Sequence, residues 1–311
     1  MPRLGTKDGA NALMAIPPLQ EQQRIVDRVR DLLPLVEEYG DLEDEREALD
    51  QVLPDRLRKS ILQQAVEGKL VAQDPADEDA SILVERIRKE KHRLIAEGKA
   101  KFPKGGENII YIGSDGCHYE KHIDKKGKVI SETCIQDQIP FEIPNTWTWA
   151  RLGSCLDVRD GTHDSPKFVD KGFPLVTSKN LRNGSIDFST CKHISAKDHD
   201  TFSVRSGVDN GDILMAMIGS IGNPVLVNTN VIFSCKNVAI FKSILRDLEM
   251  SYVHFYLFYA QEAMKKTATG GVQSFVSLRY LRAFLIPIPP LAEQQRIVDR
   301  VKELLAIITS Q

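Results

Sequence analysis

Cys117, His118, His122 and Cys134 are the residue types that hold zinc. Thiolate and imidazole suit Zn²⁺, but stable sites bring their ligands in short paired runs such as C-x2-C. Here the two cysteines stand far apart, so the spacing fits no common zinc pattern. A second chemistry is metal-assisted phosphodiester cleavage: Pro54-Asp55 with Glu67-Gly68-Lys69 offers acids beside a lysine, a set that could hold Mg²⁺. Those residues lie on a helical pattern whose faces already account for them. No G-x-x-x-x-G-K-[ST] loop is present, and no G-x-G-x-x-G joins a strand to a helix. Asn223-Pro224 is followed by Val225, so the N-P-P-aromatic phrase of amino-methyltransferases is missing. By motif, nothing binds ATP or S-adenosylmethionine, and the chain reads as no enzyme.

A third chemistry these residue types could carry is recognition. Arg, Lys, Asn and Gln read base edges in the major groove, while Lys, Arg, Ser and Thr hold phosphates. Loops carry such groups, because strands and helices are occupied with the core. A first loop offers Thr162, His163, Ser165 and Lys167. A second offers Lys179, Asn180, Arg182 and Asn183. A third offers Thr269, Gln273 and Ser274, with Lys265 and Lys266 just before it. Ser220 and Asn223 form a fourth, weaker candidate. Taken singly, each is explained as well by a turn or a solvated polar group.

The elements that position these loops are announced by a repeat. Residues 16–33 read IPPLQEQQRIVDRVRDLL and residues 288–305 read IPPLAEQQRIVDRVKELL. Fifteen of the eighteen positions are identical, at a separation of 272 residues, too long for a solenoid period. Paired prolines suit a helix start and not its interior. After them Leu19, Ile25, Val26, Val29, Leu32 and Leu33 recur at steps near three and four, one apolar stripe on a polar helix. Such a stripe needs a partner.

The phrase P-P-L-x-E-Q-x-R-I-V followed by a long helix resembles the specificity subunits of Type I restriction–modification systems. In that family it marks where a DNA-reading domain ends and a spacer helix begins. Residues 57–71, LRKSILQQAVEGKLV, with the following QDPADEDASILVERIRKEK, resemble the far end of the spacer helix and its tail. IPNTWTWARL at 143–152 resembles the opening of a reading domain, and residues 270–290 its close. The likeness covers most of the chain. It implies α+β architecture: one target recognition domain with a mixed or antiparallel sheet, plus long helices forming an antiparallel coiled-coil spacer. It implies no catalysis and no cofactor here; S-adenosylmethionine, ATP and Mg²⁺ belong to partner subunits. Those partners are double-stranded DNA, methyltransferase (M) subunits and a restriction (R) subunit. The loop residues above then read as a DNA-contacting set. Usual members carry two reading domains and two spacer helices; this chain holds one full reading domain, one spacer region and the first turns of another. Two readings follow: two copies pairing through their helices on a symmetric split site, or a truncated or silent cassette. A helical scaffold without DNA binding is the rival from another class.

Composition agrees. An apolar fraction of 42% supports a buried core. No apolar run approaches a membrane span, and residues 1–15 carry no signal core, so a cytosolic protein without membrane contact is expected. Five cysteines without a C-x-x-C pair fit a reducing compartment. The net charge of −2 hides an asymmetry: residues 145–290 hold 16 Lys and Arg against 12 Asp and Glu, a mildly basic middle on an acidic frame.

In order, residues 1–15 are expected to be the stub of a preceding domain, and 16–70 a spacer helix region. Residues 71–139 form a tail helix, linker and β arm, 140–287 the reading domain, and 288–311 the start of a second spacer helix. Pro34 should bend or break the first helix, and Pro54 restart it. If straight, the helical region from Leu19 to Val66 would span roughly 70 Å at about 1.5 Å per residue. Ser81 is the expected cap of a tail helix over 82–96, and 109–131 an exposed β arm. Strands are expected over 174–177 and 185–188 around Asn183-Gly184, then over 213–218, 225–227, 231–233 and 238–241. A helix is expected over 250–266 with its aromatics in the core, and a short helix or turn over 277–284.

Overall fold

The computed structural model describes residues 10, 13–103, 105–245, 248–267 and 275–309. The chain divides into two units, Met1–Arg56 and Leu57–Gln311. Helix α1 (Leu19–Val66) begins after the paired prolines and is continuous through Pro34 and Pro54. The expected break and restart do not occur. Each proline removes only one hydrogen bond, and the turns around it are rich in strong helix formers. Between the prolines, Arg46 pairs with Glu43 at 2.5 Å and Asp50 at 2.9 Å, adding support one helical turn to either side. In the first unit the apolar stripe stands in solvent: Ile25 is 49% exposed, Val29 48% and Val36 63%.

In the second unit, helix α2 (Ala80–Ala96) starts two residues earlier than expected. Asp79 is its cap, its carboxylate accepting the Ser81 N–H at 2.8 Å. Strands β1 (Glu107–Ile112), β2 (His118–Ile123) and β3 (Val129–Cys134) form an antiparallel sheet. Only β3 is exposed throughout, so the expectation of a free arm holds for one strand of three. The others are docked by buried carboxylates with partners. Glu107 meets His92 at 2.7 Å, and Glu120 meets the Arg151 guanidinium at 2.7 Å.

The chain then runs through β4 (Thr148–Arg151), α3 (Leu152–Cys155), β5 (Leu156–Asp160), β6 (Phe168–Val169) and β7 (Phe173–Val176). It continues through β8 (Leu181–Arg182), β9 (Ser185–Ile186), β10 (Lys192–Ile194) and α4 (Ala196–Ser206). After these come β11 (Ile213–Ala216), β12 (Gly222–Leu226), β13 (Ser234–Cys235) and β14 (Val238–Ser243). Helices α5 (Met250–Lys266) and α6 (Leu278–Ala283), strand β15 (Leu285–Ile288) and helix α7 (Leu291–Thr309) complete it.

The central sheet has the order β12-β11-β14-β5 and is antiparallel throughout. All four residues of β11 are buried, because the sheet is covered on both faces. Ile213 and Met215 pack in one cluster with Tyr256, Leu257 and Met264 of α5. Leu214 and Ala216 join a second cluster with Val176, Leu181 and Phe233. A second sheet, β13-β7-β10-β6, is mixed, with β13 parallel to β7. The fold is therefore α+β with mixed and antiparallel sheets, as expected.

Some local expectations fail. Residues 231–233 form no strand; the strand is β13, one step later. Asn183 (φ 50°) and Gly184 (φ 71°) do make the turn, but the strands they join are β8 and β9 and not 174–177. Helix α4 was not expected, since Phe202 and Ser206 are its only buried residues. Its signal was Ser195, which accepts the Asp198 N–H as an N-cap. Helix α5 has its expected bounds, with Tyr252 and Tyr256 fully buried and bonded to the Pro287 and Leu285 carbonyls.

The second copy of the repeated phrase is covered. Ile297, Val298 and Val301 are 0% exposed and pack with Leu62, Ala65, Trp147 and Tyr252.

Candidate nucleic-acid interface

The first loop leaves β5 at Gly161. A Cβ there would lie 2.5 Å from the Cys235 carbonyl oxygen, so this close backbone approach requires glycine. Thr162 bridges to Lys236 in parallel, and its hydroxyl donates to Asp164 at 3.4 Å. His163 is held at both nitrogens, by Asn237 Oδ1 at 2.8 Å and Asp160 Oδ2 at 2.8 Å. The bond to Asn237, then that to Asp160, raises the imidazole above its ordinary pKa. Burial works to raise the Asp160 carboxyl, but the bonds from His163 and Arg205 prevail and leave it below the usual range. Ser165 accepts from Lys236 Nζ at 2.8 Å, while Lys167 is exposed with no partner among the described residues.

The second loop follows β7. Lys236 N–H donates to the Val176 carbonyl at 2.8 Å, so this lysine joins the first two loops through its backbone and its side chain. Lys179 and Asn183 are exposed. Arg182 is exposed too, but its Nε donates to the Lys179 carbonyl at 2.8 Å. Asn180 must be corrected. It is 4% exposed, and its side-chain oxygen accepts both the N–H and the hydroxyl of Thr177 at 2.9 Å. Its amide donates to the Asp187 carbonyl and the Thr190 hydroxyl, each at 3.1 Å. With those groups spent, Asn180 holds the loop and has no free donor for a base edge.

The fourth loop lies beside the end of α5, which carries Lys265 and Lys266. Asn223 (φ 49°) is exposed, and its N–H donates to Gln261 Oε1 at 2.9 Å. A Cβ on Gly222 would lie 3.3 Å from Lys265 Cε. Lys265 is paired with Glu262 at 2.7 Å, and Lys266 and Ser220 are exposed without partners among the described residues. Thr269, Gln273 and Ser274 lie outside the described residues. The β8–β9 hairpin packs against β12, which carries Asn223, so the second and fourth loops belong to one packed module.

Sequence reasoning missed Lys236 and Asn237. The signal for Asn237 was its type, since Asn tolerates the left-handed backbone it adopts at φ 56°. Lys236 carried no signal, because its role comes from strand order. Among the described residues, no group of three or more His, Cys, Asp and Glu is arranged to hold a metal ion. Glu67, weighed above for Mg²⁺, is paired with Lys69 at 2.5 Å and bonded by Gln63 at 2.8 Å.

The family-model match falls on the part of the chain that carries these loops. Residues 144–311 match the family described as Type I restriction modification DNA specificity domain. The specificity subunit of the Type I restriction enzyme EcoAI from Escherichia coli is 27% identical over 347 residues, covering 95% of this chain and 53% of that protein. The EcoEI specificity subunit, also from Escherichia coli, is 27% identical over 266 residues, covering 81% and 40%. Among solved structures, the HsdS subunit from Thermoanaerobacter tengcongensis aligns with a TM-score of 0.48 at 20% identity, over 99% of this chain and 56% of that one. The chain spans about half the length of the curated relatives it matches. With more than half of its residues matched, including all four candidate loops, the chain belongs to the Type I restriction modification DNA specificity domain family.

Proposed function

We propose that the chain reads DNA sequence and performs no catalysis. It places a methyltransferase subunit, and through it a restriction subunit, on a bipartite DNA site. The observation that carries this reading is the position of the family match: it contains all four candidate loops and the second copy of the repeated phrase. S-adenosylmethionine, ATP and Mg²⁺ would act on those partners. Loops supply the contacts to bases and phosphates, and helices set the spacing. Co-expression with a methyltransferase subunit, followed by mapping of methylated adenines, tests it. The expected result is one split sequence methylated throughout; an unmethylated genome, or methylation unchanged by omitting this chain, overturns the reading.

The exposed stripe on the first part of α1 supports a second element: two copies pairing through these helices into a coiled-coil spacer and reading a symmetric site. Sedimentation tests it. A strict monomer at micromolar concentration without a methyltransferase subunit counts against it.

A further inference from the structure

A cleft of about 2290 Å³ lies between two walls of the second unit. One wall is α2, the stretch after it and part of the β1–β2 sheet; the other is β4, α3, β5 and α6. None of the loop residues considered above lines it. Its charge departs from that of the chain, whose net charge is −2: eleven Lys and Arg line it against four Asp and Glu.

Most of those cations are neutralised. Three of the four acids are bonded within the cleft, Glu85 and Glu107 by Arg88 and Asp157 by Arg159. Lys99, Arg151, Arg205 and Lys242 pair with carboxylates outside the lining. Five cations have no carboxylate partner among the described residues. Lys91 Nζ donates to the Gly153 carbonyl at 2.7 Å, and Arg282 donates to the Val158 carbonyl at 3.0 and 2.6 Å. The side chains of Lys101, Lys125 and Arg279 are exposed and make no hydrogen bond or ion pair among the described residues, Lys125 Nζ lying 5.8 Å from the centre of the Phe102 ring. Backbone carbonyls orient a cation without cancelling its charge, so the cleft keeps a positive excess.

The geometry points to this cleft as a track for the phosphodiester backbone of duplex DNA beside the recognised sequence, with Lys101, Lys125 and Arg279 as its phosphate contacts. Flexible, separately placed cations suit a string of phosphate charges and carry no base information. The assignment rests on the DNA-reading function proposed above.

The test measures binding of the full chain to random-sequence duplex across a salt series. It compares wild type with Lys101→Ala/Lys125→Ala/Arg279→Ala and with Lys179→Ala/Arg182→Ala. Each lost phosphate contact makes the slope of log K against log salt shallower by about 0.9, so the triple variant should lose between about 2 and 3 from its slope on every sequence. Lys101→Arg/Lys125→Arg should keep the wild-type slope. If the triple variant matches wild type while the Lys179/Arg182 variant weakens, the cleft is not a DNA track and the reading function stands. If wild type binds no duplex at all, the reading function falls, and this assignment with it.

Discussion

Trp147 donates its indole N–H to the Glu293 carboxylate at 2.9 Å, across 146 residues of chain. The same carboxylate takes Gln73 Nε2 at 2.6 Å, and Arg296, one turn along α7, grips Asp77 through two bonds at 3.2 and 2.6 Å. The repeated letters E-Q-x-R thus fasten the start of α7 to Trp147, just before β4, and to the loop after α1. Gln294 donates to the Pro289 carbonyl at 2.9 Å, and its counterpart Gln22 donates to Pro17 at 2.7 Å. The local bond exists in both copies. The bonds to distant segments are made by the second.

The two copies should therefore respond differently to one substitution. Ile297→Ala empties a fully buried position and should cost about 2–5 kcal/mol in urea unfolding. Ile25→Ala, at a half-exposed position, should change stability by less than about 0.5 kcal/mol in dilute solution. Equal losses at the two sites would refute the difference in environment.

Glu293 should give stability a pH dependence. Burial, the largest influence, raises its carboxyl above the ordinary range, and the bonds from Trp147 and Gln73 only partly oppose it. A raised folded pKa means the contribution is full below the unfolded value, about 4.3, and is lost as pH climbs through the folded value. Glu293→Gln removes that titration. Wild type should lose stability relative to the Gln variant as pH rises from about 4 toward neutrality. A constant gap over that window would show that the buried charge carries no such penalty.

Two variants in the second loop should separate support from contact. Asn180→Ala leaves the Thr177 and Asp187 backbone groups unmatched and should lower the melting temperature, at a cost of about 1–3 kcal/mol. Lys179→Ala/Arg182→Ala should leave melting unchanged and reduce the salt slope of DNA binding by about 2. An Asn180→Ala protein that melts like wild type would return that residue to the contact set.

His163 should make DNA binding weaken as pH rises. Its bonds to Asn237 and Asp160 raise its pKa, so it stays charged beyond the ordinary value of about 6.5 and loses that charge above it. Duplex affinity at constant salt should fall across that range in wild type, and His163→Gln should flatten the profile. A wild-type profile as flat as that of the variant would remove His163 from the interface.

The sequence by itself determined the start and apolar stripe of α1 and α7 and the bounds 250–266 of α5, because helical periodicity is local and these signals lie within a few turns of chain; α4, with two buried residues, was too weakly periodic to show. It also determined the family, through a phrase repeated almost letter for letter. Only the tertiary structure decided which copy of that phrase is buried, since Ile25 and Ile297 have nearly identical neighbours in sequence and opposite neighbours in space. Tertiary structure likewise decided that Asn180 supports its loop and that Lys236 joins two loops. Hydrogen-bond partners ten or seventy residues away leave no periodic trace, and strand order, which places them, is a property of the whole chain.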